Sequence, residues 1–262
     1  MQVSVNGIDM HYVLDARSGG PSLTFVHQLG GDLTVWDALA GHFRHRYNVL
    51  RYDVRGHGAS AVSHEAFGFA QLAADLGAIL DANGVTTTHL VGVSMGGMIA
   101  QQFAIEYPSR VLSLTLCDTS SRTPHEAHTM WTGRAALVRR EGTAVLASAT
   151  MERWFTPDFR RMHGETVEQI CDVLLRTASE GYAMACEALR EFDVHERLAQ
   201  LRMPVLAVAG RYDSGTPVAL TQAVAEAIAG ARFEILDAAH LAPVEESHRF
   251  TALLETFLRQ SV

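Results

Sequence analysis

Short apolar runs recur along this chain at strand length: Leu23 to Val26, Val49 to Tyr52, Leu90 to Val93, Val111 to Cys117, Val205 to Ala209 and Phe233 to Leu236. Stretches with helical spacing separate most of them. Strands that are apolar on both faces need cover on both faces, so the pattern predicts a mainly parallel sheet with helices above and below it. The N-terminus has a different rhythm. Asn6-Gly7 stands between Val3-Ser4-Val5 and Ile8-Asp9-Met10-His11-Tyr12-Val13 and predicts a two-residue turn joining two antiparallel strands.

Between Asp118 and the run that begins near Pro204 lies a long segment with no strand signal. Its periodic stretches, Ala135 to Arg140, Thr143 to Met151, Val167 to Thr177 and Tyr182 to Phe192, predict helices. The expected organisation is a core of residues 1–119 and 194–262 with a helical cap, 120–193, inserted after the strand that ends at Cys117. That insertion point puts the cap over the carboxyl ends of the strands, where open parallel sheets bind ligands.

Composition narrows the chemistry. A chain of 262 residues with 48% hydrophobic positions can bury a large core. All 21 basic residues are arginine, which excludes lysine-dependent phosphate loops, Schiff bases and Ser-Lys dyads. A formal charge of −8 without a basic block argues against nucleic acid or an anionic membrane as partner. A small molecule is expected instead, and nothing in the residues sets an oligomeric state. The first residues lack a basic start with an apolar core, and no later run of about 18 apolar residues could span a bilayer. Cys117, Cys171 and Cys186 are odd in number and lack metal-ligand spacing, so reduced thiols and a cytoplasmic location are expected.

The densest chemical signal is Gly92-Val93-Ser94-Met95-Gly96-Gly97, which follows an apolar run and opens a helical stretch from Met98 to Tyr107. A serine on so sharp a strand-to-helix turn leaves room only for small residues two positions either side. The helix start aims the Met95 N–H at the point where an attacked carbonyl would gain negative charge. A serine hydroxyl needs a histidine to take its proton and a carboxylate to hold that histidine's tautomer. On loops after later strands, His240 is the expected base and Asp213 the expected acid, with Asp118 the rival acid at the end of another strand. Asp237 lies too near His240 in sequence to reach its ring correctly, and Asp53 is expected to hold the turn Arg55-Gly56-His57-Gly58. The loop His27-Gln28-Leu29-Gly30-Gly31 is expected to supply a second oxyanion N–H, from Leu29 or, on spacing alone, Gln28. His42 with His45 and His125 with His128 lack a third ligand and the i, i+4 pairing of a metal helix, so neither metal nor organic cofactor is implied.

These residues together resemble the α/β-hydrolase fold family over essentially the whole chain, including the loop Arg55-Gly56-His57-Gly58-Ala59-Ser60. Within it the chain is similar to the 3-oxoadipate enol-lactonases of aromatic catabolism, through Leu29-Gly30-Gly31-Asp32-Leu33, Leu50-Arg51-Tyr52-Asp53, Arg153-Trp154-Phe155-Thr156 and Glu180-Gly181-Tyr182. The resemblance implies Ser94, Asp213 and His240 as a triad, Leu29 and Met95 as oxyanion donors, and an acyl-enzyme route for a small lactone or carboxylic ester. Gln28, Trp131, Arg134, Trp154 and Tyr182 are the expected substrate contacts, with Arg134 gripping a carboxylate and an indole packing on the ring. Gln28 stands where those enzymes carry a small polar residue, so it would narrow or re-polarise the pocket. The same fold also hosts general esterases, haloperoxidase-like enzymes, carbon–carbon hydrolases and lyases, and non-enzymatic receptors.

Overall fold

The structure, a computed structural model, describes residues 1–17 and 19–261. Strands β1 (Gln2–Val5) and β2 (Ile8–Asp15) form the N-terminal hairpin. Its turn residues Asn6 and Gly7 have φ of +48° and +79°, the left-handed pair that a two-residue turn between twisted strands requires. The remaining strands are β3 (Ser22–Val26), β4 (Asn48–Tyr52), β5 (Thr88–Val93), β6 (Val111–Cys117), β7 (Val205–Gly210) and β8 (Arg232–Leu236). They lie in one sheet in the order β1-β2-β4-β3-β5-β6-β7-β8, parallel from β4 to β8. Every residue of β5 and β7 is buried, which is why those runs read as apolar without alternation.

The helices in chain order are α1 (Asp37–Phe43), α2 (Phe69–Ala82), α3 (Met95–Glu106), α4 (His128–Glu141), α5 (Ala147–Trp154), α6 (Pro157–Met162), α7 (Gly164–Arg176), α8 (Ser179–Arg190), α9 (Val218–Glu226), α10 (Ala242–Glu245) and α11 (Ser247–Gln260). The chain leaves β3 through α1 to reach β4 on one side, then returns through α2 to β5 on the other side of β3. Right-handed crossovers in opposite directions put α1 and α2 on opposite faces, where α11 joins α1 and α3 joins α2. A doubly covered, mainly parallel sheet is therefore the fold, as the apolar runs predict. The reversal opens a crevice between the carboxyl ends of β3 and β5.

Helices α4 to α8 follow β6. Their two ends are tied together, with the Thr123 N–H donating to Phe192 O and the Val194 N–H to Ser121 O, both at 2.8 Å. The stretch expected as one helix from Thr143 is a 3-10 turn, Thr143–Leu146, leading into α5. Helix α6 was not expected, although Thr156 accepts from the Phe159 N–H and Pro157 fills the first turn, both readable start signals. Among the described residues no helix is long and apolar enough to cross a membrane.

This segment is sewn to the loops at the crevice. Gly56 and Gly181 approach so closely that a Cβ on either would strike the other's backbone. The Leu241 N–H donates to Trp154 O at 3.2 Å, and Glu245 accepts from the Ala239 N–H at 2.9 Å and from Thr156.

Candidate active site

Ser94 caps α3 directly after β5, with φ +55° and ψ −120°. A non-glycine residue there costs on the order of 1–3 kcal/mol, so its surroundings must hold it. They do so on both sides. The Ser94 N–H donates to Cys117 O and the Thr119 hydroxyl donates to Ser94 O, each at 2.8 Å. A Cβ on Gly92 would strike the Gly96 carbonyl, and one on Gly96 would strike Val26 O, so the glycine spacing has the steric cause read from the sequence.

The structure brings Ser94, His240 and Asp213 into one hydrogen-bonded chain. His240 Nε2 lies 2.9 Å from Ser94 Oγ, and its Nδ1 lies 2.7 Å from Asp213 Oδ2. Asp213 Oδ1 accepts the N–H groups of Gly215 and Thr216 at 2.8 and 2.9 Å, which leaves Oδ2 for the imidazole. With Nδ1–H donated to the carboxylate, Nε2 is free to accept the serine proton.

Asp118 does not meet His240. Its Oδ1 accepts the Gly210 N–H at 2.6 Å and its Oδ2 the Ala242 N–H at 3.0 Å. Burial pushes this carboxyl well above the ordinary range, reinforced by nearby Asp213 and opposed by the two N–H groups. Asp237 sits at the surface beside Arg211 and Arg249. Asp53 accepts from the Leu33 and Ala59 N–H groups, each at 2.8 Å, so it fastens the Arg55–Ser60 turn to the loop after β3.

A cavity of about 290 Å³ opens on Ser94 and His240 and is also lined by Leu29, Trp131, Arg134, Trp154 and Tyr182. Met95 is the first residue of α3 and its N–H has no intrahelical acceptor; the Leu29 N–H has no acceptor among the described residues. Gln28 departs from expectation. It does not line this cavity: its buried amide folds over Gly31, whose N–H closes a tight turn onto Gln28 O at 3.1 Å. The turn points the side chain away from the ligand space, so Gln28 shapes the loop rather than the pocket surface. Neither amide atom has a hydrogen-bond partner among the described residues.

Sequence reasoning missed Arg153. The cap segment Arg153-Trp154-Phe155-Thr156 offers an arginine and an indole beside those of Trp131-Thr132-Gly133-Arg134, and the expected contacts take the indole from it and the arginine from Arg134. Arg153 lines the cavity with Arg134, and burial first and Arg134 second push its pKa down, so two positive charges share one small space. The contrast with Arg139, gripped by Glu180 and Glu187, is sharp: among the described residues no carboxylate lies within ion-pair distance of Arg134 or Arg153. The Arg134 guanidinium sits 5.1 Å from the Trp131 ring centre, a cation–π arrangement. Burial pushes the Tyr182 hydroxyl up to about 12, countered by both arginines. Met98, Met130 and Leu189 add apolar wall that sequence spacing did not mark. Among the described residues no three His, Cys, Asp or Glu side chains form a group able to hold a metal ion.

Comparison with known proteins agrees with this architecture. Residues 21–166 match the family model described as the alpha/beta hydrolase fold. The 3-oxoadipate enol-lactonase 2 of Acinetobacter baylyi is 34% identical over 98% of this chain and 96% of its own length. Among solved structures, the enol-lactonase of Burkholderia xenovorans LB400 superposes with a TM-score of 0.95 at 32% identity, covering 99% of this chain and 100% of that one. A thermophilic esterase from Thermogutta terrifontis, solved with malate bound, gives a TM-score of 0.93 at 30% identity, covering 100% and 99%.

Proposed function

The chain belongs to the alpha/beta hydrolase fold family, and from that membership we propose that it is a serine hydrolase opening a small lactone, or cleaving a small carboxylic ester, through an acyl-enzyme. The observation that carries the reading is the unbroken chain from Asp213 through His240 to Ser94 at the wall of the cavity. Ser94 Oγ attacks the carbonyl while His240 Nε2 accepts its proton, and Asp213 steadies the imidazolium. The Met95 and Leu29 N–H groups receive the oxyanion. His240 returns its proton to the leaving oxygen, then draws a proton from the water that attacks the acyl-enzyme and passes it to Ser94 Oγ as the acid departs.

An enol-lactone of 3-oxoadipate type suits this site best. Ring opening expels an enolate, a better leaving group than an alkoxide, and the freed enol tautomerises to a ketone. Such a substrate also carries a carboxylate, and Arg134 and Arg153 offer unpaired charge inside the cavity for it. The enol-lactonases of Acinetobacter baylyi and Burkholderia xenovorans support this choice by likeness along nearly the full chain. In this reading residues 120–193 are a cap on a core of 1–119 and 194–262, with Trp131, Trp154 and Tyr182 forming the apolar wall for the ring. The enzyme is cytoplasmic, a setting in which Cys117, Cys171 and Cys186 stay unpaired.

A general carboxylesterase is the second reading, favoured by the likeness to the Thermogutta esterase. Turnover of a panel of carboxylate-bearing lactones, neutral lactones and neutral aryl esters, with product identification, separates the two. The enol-lactone reading expects kcat/KM highest for a carboxylate-bearing enol-lactone. A preference for neutral aryl esters overturns it in favour of the esterase.

A further inference from the structure

The end of β6 touches all three loops that carry the proposed triad. Cys117 O holds the Ser94 N–H and the Thr119 hydroxyl holds Ser94 O. Between them, Asp118 reaches the other two loops with one side chain. Its Oδ1 accepts from Gly210, where the Asp213 loop begins and whose carbonyl in turn accepts the Asp213 N–H at 3.2 Å. Its Oδ2 accepts from Ala242, two residues after His240. The same loops also meet directly, since a Cβ on Gly210 would strike Ala239 O.

Asp118 is costly to keep. It is 0% exposed, it has φ of +47°, and it takes no part in the hydrogen-bond chain that ends at Ser94. An apolar side chain would spare that desolvation but leave the Gly210 and Ala242 N–H groups buried without an acceptor. What a carboxylate adds is two adjacent acceptor oxygens on one rigid plane, which fixes the separation of two N–H donors. Those donors stand at the root of the Asp213 loop and just beyond His240.

We propose that Asp118 is a positioning residue that sets the reach between Asp213 and His240, by clamping Gly210 and Ala242 with its two carboxylate oxygens. The inference rests on the triad reading given above. Shifting the acid relative to the imidazole by a fraction of an ångström loosens the bond that fixes the histidine, so the loss falls on the chemical step and not on substrate binding.

The test is a double-mutant cycle on kcat and KM with the best substrate of the panel. An amide has one acceptor oxygen and would set its NH2 against the other N–H, so Asp118→Asn breaks half of the clamp at nearly constant volume. Expected is a fall in kcat of about 10- to 100-fold, the scale of a small misplacement, with KM changed less than about 3-fold. In an Asp213→Asn background, where the bond that Asp118 tunes is already broken, Asp118→Asn should cost less than about 3-fold further. If Asp118→Asn does not accumulate as folded protein, Asp118→Gly, which suits the positive φ and removes both acceptor oxygens, is read in the same cycle. Equal fold losses in both backgrounds, or unchanged kcat in the single variant, overturn the inference. If Asp213→Asn itself leaves kcat intact, the triad reading fails instead.

Discussion

Asp213 divides its carboxylate between two tasks: Oδ2 meets His240 Nδ1 at 2.7 Å while Oδ1 is held by the N–H groups of Gly215 and Thr216. The loop thus decides which oxygen faces the imidazole before any substrate arrives. Asp213→Asn keeps the shape but can present its NH2 to the ring, favouring the wrong tautomer. It should lower kcat by on the order of 10⁴-fold. Steady-state kinetics of Asp213→Asn beside Asp118→Asn checks the assignment, and a larger loss in the Asp118 variant would transfer the acid role.

The stem of Arg153 lies against Gly215, so the cavity's second arginine rests on the loop that carries the acid. If Arg134 and Arg153 hold a substrate carboxylate, Arg134→Met and Arg153→Met should each raise KM for a carboxylate-bearing lactone about 10- to 100-fold, the worth of a charge-assisted hydrogen bond. A neutral aryl ester should change less than about 3-fold. Parallel losses on both substrates would reject the carboxylate site.

Three histidines are buried away from the cavity wall. Burial pushes His57 down to about 3, His89 down to about 4, and His27 below its ordinary value against the pull of Asp53. Their folded values lie below the unfolded value near 6.5, so between 6.5 and about 4 the unfolded chain binds protons that the folded chain refuses. Stability is therefore full above pH 6.5 and falls as pH drops. The loss should be about 2 kcal/mol each for His57 and His89 at pH 5. Urea unfolding at pH 7.5, 6 and 5 measures it, and His89→Gln should flatten the slope. A constant unfolding free energy across that range would show that these rings are protonated at no cost in the fold.

Much of the fold was legible because its main signals are local. The Asn6-Gly7 turn and the runs of β3 to β8 lie within a residue or two of where composition and periodicity put them. Ser94 was legible because close packing between β5 and α3 imposes glycine at fixed spacing. His240 and Asp213 were legible as loop positions, but their meeting depends on β7 and β8 lying side by side. What stayed hidden depends on side-chain direction. Gln28 turns under its loop into the room that Gly31 leaves by lacking a Cβ, a packing relation that periodicity does not show. Arg153 faces the cavity because Trp154 is anchored to Leu241 and fixes the phase of the last turn of α5. Asp118 was weighed as a rival acid because a strand-end position cannot tell a carboxylate that meets the imidazole from one that meets two backbone N–H groups.

Ser94 as the nucleophile is tested most directly by kcat/KM of purified Ser94→Ala on the best substrate of the panel, with thermal unfolding recorded beside it. The Oγ donates to no backbone group, so the variant should melt within about 2 °C of the parent, a shift worth about 1 kcal/mol. Its turnover should fall on the order of 10⁶-fold. A folded Ser94→Ala protein retaining activity within 10-fold of the parent would contradict the account.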